Sequence, residues 1–225
     1  MSVHKSIEVV ANHPAAHGIR RVVLARPAGW SHRAGQVAEL TAPPGPAGYF
    51  AIASAPDEPT LDFLVKLGPD TTQLAGAEPG AIVELRGAFG AGFELPAAAP
   101  GRRLVFVGAG TALSALRSGL VAARRDHAPD ALVIVLGARR LAELAFRDEL
   151  ASWADAGVHV RTVMSRPDPD DSWRGWDGRT GYVQGHLGDL IDPAARADTW
   201  AFLAGSDGLE DAVYAALRDV GLLAG

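Results

Sequence analysis

Between Ser6 and Gly92 the apolar residues fall in short runs: Ile7–Ala11, Ile19–Ala25, Gln36–Thr41, Tyr49–Ser54, Leu61–Leu67 and Ala81–Arg86. Gly and Pro break off each run, which predicts β-strands, and their close spacing predicts an antiparallel barrel or sandwich. The Pro- and Ala-rich stretch Leu95–Gly101 reads as a linker. Beyond it the rhythm changes to an apolar strand followed by an amphipathic helix. Leu104–Val107 precedes Ala112–Arg125, and Leu132–Leu136 precedes Leu141–Trp153. Val158–Met164 precedes a Gly/Asp/Trp-rich loop and a short helix near Tyr182–Leu190, and Trp200–Leu203 precedes Leu209–Val220. Such alternation predicts a parallel sheet with helices on both faces. The expected fold class is β plus α/β: an N-terminal antiparallel β-barrel over residues 1–98, then a doubly wound nucleotide-binding domain over residues 99–225.

A length of 225 residues suits two modest domains or one large one. Against 26 Asp and Glu stand 21 Lys and Arg, a net charge of -5. That balance argues against a general nucleic-acid binder. The absence of cysteine excludes disulfides, thiolate zinc sites, iron–sulfur ligation and a catalytic thiol on this chain. No apolar run reaches the ~18 residues of a membrane span. The first ten residues alternate without a secretory apolar core, so a cytoplasmic protein is expected. His13 and His17 are four apart, but Pro14 and Gly18 predict a loop, and no acid or thiol completes a ligand set. They read as exposed or structural, and no metal is expected. Trp173 and Trp176 read as loop anchors, with a clamp for an adenine or a partner as the alternative.

Gly108-Ala-Gly110-Thr111 joins a buried strand to a helix, where glycines let the backbone approach an anion. Leu113 fills the sixth position of a G-x-G-x-x-G pattern, so that fingerprint is incomplete, and no Walker lysine is present. A tight strand–helix turn is the competing reading. The next strand ends in Gly137-Ala-Arg139-Arg140 instead of the acidic residue that holds a ribose diol, and the third ends in Ser165-Arg166. Guanidinium groups with a hydroxyl suit a 2′-phosphate, as in NADP. The alternative is chance placement in an arginine-rich chain, with pairing to Glu143 and Asp148.

In this order the segments resemble the ferredoxin–NADP reductase superfamily of FAD-dependent NAD(P)H oxidoreductases, over nearly the whole chain. Gly48-Tyr49-Phe50-Ala51-Ile52-Ala53-Ser54 resembles the family's flavin strand, R-x-Y-S continued by small or apolar residues and often Ser. Leu64-Val65-Lys66 resembles the next strand, and Gly68 to Leu74, with Thr71 and Thr72, the turn that holds the FAD pyrophosphate. Gly87-Ala-Phe-Gly90 resembles the closing turn of the barrel, and Val107–Ser118 the pyridine-nucleotide turn. Leu136–Arg139 with Leu144–Leu150 is similar to the second βα unit, Gly181–Leu187 to the G-Y-V-x-x-x-L segment, and Ala204-Gly205-Ser206 to the C-G-P turn near the nicotinamide.

The resemblance implies FAD at Tyr49, Phe50, Ala51, Ile52, Ser54, Val65, Lys66, Thr71 and Thr72. It implies NADP or NAD at Gly108, Gly110, Thr111, Arg139, Ser165, Arg166, Gly205 and Asp207, with no catalytic side chain assigned. The implied activity is hydride transfer from NAD(P)H to flavin, then electron transfer to an unidentified acceptor, protein or small molecule. Gly48, Ala51 and Ala204 replace the family's Arg, Ser and Cys, so a partner-dependent electron-transfer or regulatory subunit of the same fold is the alternative. Oligomeric state has no signature in the sequence.

Overall fold

The computed structural model describes residues 3–190 and 198–221. Residues 1–2 and 222–225, which bound the two expected domains, lie outside the described residues. The strands β1 (Val3–Ala16), β2 (Ile19–Ala25), β3 (Val37–Thr41), β4 (Ala47–Ala51), β5 (Thr60–Lys66) and β6 (Ile82–Phe89) pair antiparallel in the order β4-β3-β6-β1-β2-β5. One bridge between Ile52 and Phe63 draws the two edges together, so the sheet is barrel-like without closing. Val9, Leu24, Leu40, Ile52, Phe63 and Leu85 fill its interior. A one-turn helix, α1 (Thr72–Ala75), follows β5.

The strands β7 (Arg103–Ala109), β8 (Leu132–Ala138), β9 (His159–Met164) and β10 (Thr199–Ala204) form a parallel sheet in the order β10-β7-β8-β9. Successive side chains point to opposite faces. Leu104, Phe106, Leu132 and Ile134 meet α2 (Leu113–Ala123) and α3 (Arg147–Asp155). Val105, Val107, Val133 and Val135 meet α4 (Leu187–Leu190) and α5 (Asp207–Asp219). Burial on both faces explains why these strands read as continuous apolar runs. The chain steps outward from β7 to β9, then returns to the other side of β7, leaving a switch point between β7 and β10. In such sheets ligands bind at the strands' carboxyl ends beside that point.

Two expectations give way to tertiary contacts. First, β1 runs through Pro14, because its last residues pair only with β2 and need no donor on the other side. Second, α3 begins at Arg147, not Leu141. Leu141–Glu143 forms a single 3-10 turn, and Phe146 takes a left-handed φ of 55°. The Phe146 ring is held between Arg21 of β2 and Arg117 of α2, each guanidinium carbon a little over 5 Å from the ring centroid (5.2 and 5.3 Å).

Arg117 joins the two sheets. It is 4% exposed and uses all five of its N–H donors. Nε donates to Glu149 at 2.6 Å, Nη1 to the Ala53 carbonyl and Glu58 at 2.8 Å each, and Nη2 to Glu58 at 3.0 Å and Glu149 at 2.7 Å. Burial works against the Glu58 carboxylate, but the Arg117 hydrogen bonds and the Ala55 amide more than offset it, so its pKa falls below the usual value. Beside Arg117, the Ser118 hydroxyl donates to the Ser54 carbonyl at 2.7 Å.

His32 closes the barrel side of this seam. Trp30 Nε1–H donates to His32 Nδ1 at 3.1 Å, which leaves Nε2–H to donate to the Ser54 carbonyl at 3.1 Å. Burial first, and then the Arg26 charge, lower the His32 pKa, while the Ser54 bond and Glu58 only partly restore it. A histidine with a depressed folded pKa stabilises the fold fully above its unfolded value of ~6.5, and that contribution is lost as pH falls below it. Urea midpoints are therefore expected to drop from pH ~7.5 to ~5.5 in the native protein, with a flatter profile in His32→Asn. Identical slopes in the two proteins rule this out.

Candidate functional site

A cleft of about 670 Å³ opens at the carboxyl ends of β7, β8 and β9. The turn after β7 contributes Ala109, Gly110 and Thr111, and α5 begins opposite with Ser206, Gly208 and Leu209. Gly108 is required for packing: a Cβ there would lie 2.4 Å from the Ala204 carbonyl oxygen, so it lets β7 and β10 close up under the turn. Arg139, Ser165 and Arg166 line the far end. Their backbone continues the β8–β9 ladder, Ser165 N–H to Ala138 at 2.9 Å and Arg166 N–H to Arg139 at 2.8 Å, which holds both arginines at one end of the cleft. Among the described residues neither arginine has an ion pair, whereas Arg140 is bound to Asp168 at 3.1 Å. Two unsaturated guanidinium groups on a concave surface suit an anion, and a phosphate fits their fork geometry.

The barrel supplies the opposite wall with His17, Ile19 and Lys66. Tyr182 stands 65% exposed on the rim, and Gln184 places a buried, unpartnered Oε1 beside it. An open aromatic face next to an unsatisfied amide suits a nucleobase. The motif Gly181–Leu187 was legible in the sequence, but without a role for these two side chains.

A second cleft, of about 520 Å³, continues from the first and shares Ala109, Thr111 and Ser206 with it. Tyr49, Phe50 and Phe93 are its aromatic lining, with Gly35, Ala51, Ala112, Ala115, Ala204 and Gly205 leaving it open. Phe93 is fixed from behind by Phe202, with ring centroids 5.3 Å apart, and by Phe106 at 6.3 Å. Among the described residues Glu210 is the one carboxylate on its lining. Tyr49, 66% exposed, stands edge-on to Phe89, and the Glu39 carboxylate on the paired strand raises the phenol pKa.

The Phe50 ring folds back over Gly48, where a Cβ would come within 2.9 Å of the ring edge. The missing arginine is thus coupled to the position of the aromatic wall. Gly48→Arg is expected to displace Phe50, and to weaken retention of an added flavin by about ten-fold instead of improving it. Tighter retention on desalting would show that the two positions are independent.

Several of the expected residues line neither cleft. Ile52 and Val65 are fully buried in the barrel core, and the Ser54 side chain is 1% exposed, its hydroxyl accepting from the Asp62 amide. The Thr71 and Thr72 hydroxyls donate to carbonyls of their own loop, Lys66 at 2.6 Å and Gly68 at 2.9 Å respectively, so those protons are already committed. Asp207 begins α5 but lines neither cleft, while its neighbours Ser206 and Gly208 do. Lys66 faces the first cleft instead of the second. His17, Glu143, Tyr182, Gln184 and Phe93 enter the lining without having been expected there.

The fold is similar to that of ferredoxin–NADP reductases, and the resemblance read from the order of the motifs holds. Residues 106–214 match the family model described as the oxidoreductase NAD-binding domain. Ferredoxin–NADP reductase B of Sorangium cellulosum is 36% identical over 154 residues, 66% of this chain and 60% of that protein. The chain therefore spans about three fifths of that relative's length. The solved Amycolatopsis cytochrome P450 reductase GcoB aligns with a TM-score of 0.82 and 23% identity, over 99% of this chain and 67% of its own. A Neisseria gonorrhoeae ferredoxin NADP+ reductase, solved with FAD and NADP bound, aligns with a TM-score of 0.79 and 19% identity, over 97% and 92%. Among the described residues no helix is long and apolar enough to cross a membrane, and no group of three or more His, Cys, Asp or Glu could hold a metal ion.

Proposed function

We propose that the chain is an FAD-dependent NAD(P)H oxidoreductase, with flavin on residues 1–98 and the dinucleotide held mainly by residues 99–225. The observation that carries this reading is the continuity of the two clefts: a cationic end at Arg139 and Arg166 runs into an aromatic-walled end at Phe50 and Phe93. Arg139, Ser165 and Arg166 bind a 2′-phosphate, which favours NADPH over NADH. Tyr182 and Gln184 receive the adenine, and the Gly110–Thr111 turn carries the pyrophosphate toward the second cleft. Thr111 and Ser206, common to both clefts, orient the nicotinamide end.

The fit to a flavin rests on the open, small-residue lining of the second cleft and on Phe50, which presents an aromatic wall. When bound, a flavin accepts hydride from the reduced nicotinamide and releases electrons to an acceptor. The protein's share is proximity and exclusion of water by Phe50, Phe93 and the seam around Arg117. Ala51 and Ala204 place neither hydroxyl nor thiol in the cleft, and hydride passage requires no side-chain proton. Those two alanines also support the alternative, a subunit that needs a partner chain for turnover.

One experiment separates the readings: purified protein is soaked with FAD, desalted, and observed before and after anaerobic NADPH. A flavin spectrum that bleaches supports the reductase. A retained flavin that stays oxidised with both NADPH and NADH supports the partner-dependent subunit. Protein that retains no flavin rejects the reductase.

A further inference from the structure

The strand β1 pairs with β6 only from Val3 to Glu8; from Val9 to Ala16 it continues as a ribbon with β2, which is paired in turn with β5 from Ile19 to Ala25. The tip of this ribbon reaches the core of the other sheet. Ala15 and Ala16 pack against the core that contains α2 and α3, and Ile19 is buried in it. The ribbon's tip is pinned by the His17 amide, which donates to the Ala142 carbonyl at 2.7 Å, and by the Leu67 amide, which donates to the Gly18 carbonyl at 2.8 Å. With its backbone fixed on both sides, the exposed residue His17 lines the first cleft together with Arg139 and Arg166.

The charged and titratable groups lining that cleft with it are Lys66 from β5, Arg139 after β8, Glu143 from the 3-10 turn, Arg166 after β9, and Tyr182. Three permanent cations and one carboxylate leave the lining short of the charge on a phosphorylated dinucleotide. Histidine is the side chain that can supply a further positive charge near neutrality when an anion arrives.

We propose that His17 is a positioning residue of the dinucleotide site: its imidazolium binds a phosphate group of the ligand from the barrel side, opposite Arg139 and Arg166. This inference rests on the reading of the cleft as a dinucleotide site. It makes the β1–β2 ribbon part of that site and makes its affinity for phosphate depend on pH. The same chemistry would serve the 2′-phosphate or the pyrophosphate, and the choice of ligand distinguishes them.

The test is calorimetric binding of 2′,5′-ADP and of ADP to the full chain, in wild type, His17→Gln and His17→Lys, at about pH 6 and about pH 8. Taking the ratio of variant to wild-type affinity cancels the titration of the phosphate itself. His17→Gln is expected to lose about ten-fold in affinity for 2′,5′-ADP at the lower pH and less than about two-fold at the higher one. His17→Lys is expected to hold wild-type affinity or better at both. A loss confined to 2′,5′-ADP assigns the 2′-phosphate, and an equal loss with ADP assigns the pyrophosphate. Wild-type affinity in His17→Gln at both pH values, with 2′,5′-ADP bound, overturns the inference and leaves the dinucleotide reading intact. Wild-type protein that binds neither nucleotide overturns both.

Discussion

Arg117→Ala is expected to lower unfolding free energy by about 3 kcal/mol, the low end of the cost of removing one partner from a buried ion pair. The mechanism is the stranding of two carboxylates. Glu58 and Glu149 keep 30% and 29% side-chain exposure, so water relieves part of their loss, which places the effect at the low end. The Ala53 carbonyl loses its donor as well. Arg117→Lys should recover little, because one ammonium cannot reproduce five N–H bonds to three separate groups. Urea unfolding near neutral pH measures both variants. A change under about 0.5 kcal/mol, the range of an ordinary surface substitution, would show that the seam does not depend on this residue. Since the seam holds α2 against the barrel, the alanine variant should also lose affinity for any ligand that spans the two clefts.

The second large effect concerns nucleotide choice. Arg139→Ala and Arg166→Ala are each expected to reduce kcat/KM for NADPH by about ten-fold or more, since a hydrogen bond to a charged group contributes about 1.5–3 kcal/mol. The value for NADH should change by less than about two-fold, because NADH lacks the 2′-phosphate these side chains are read to hold. Steady-state rates with an artificial electron acceptor give both numbers from one preparation. Equal losses with the two nucleotides would move the arginines to the pyrophosphate. Unchanged NADPH kinetics in both variants would remove them from the site. The double variant should fall short of the product of the single effects, because two guanidinium groups on one phosphate share it.

The order of elements, the change from barrel to parallel sheet, and the positions of Gly108, Arg139, Ser165 and Arg166 at strand ends are legible in the amino-acid sequence. These are local properties: period-two and helical patterns, turn residues, and the residue at the end of an apolar run report the backbone directly around them. Partner choice is different, because it depends on which distant segments fold together. The sequence carried no sign that Arg117 would reach Ala53, Glu58 and Glu149, or that Phe146 would break the expected helix to stand between two arginines.

The same holds inside the candidate site. A strand motif identifies Gly48–Ser54, but the alternation of faces buries Ile52 and exposes Tyr49. Gly48 looks in sequence like a lost arginine; in the fold it is the space beneath the Phe50 ring. His17, set in an apparent loop between Pro14 and Gly18, reaches the first cleft because the tip of the β1–β2 ribbon packs on the core of the second sheet. Only tertiary packing could place it there, since the groups that hold the ribbon tip, Ala142 and Leu67, are remote from it in the chain and share no local pattern with it.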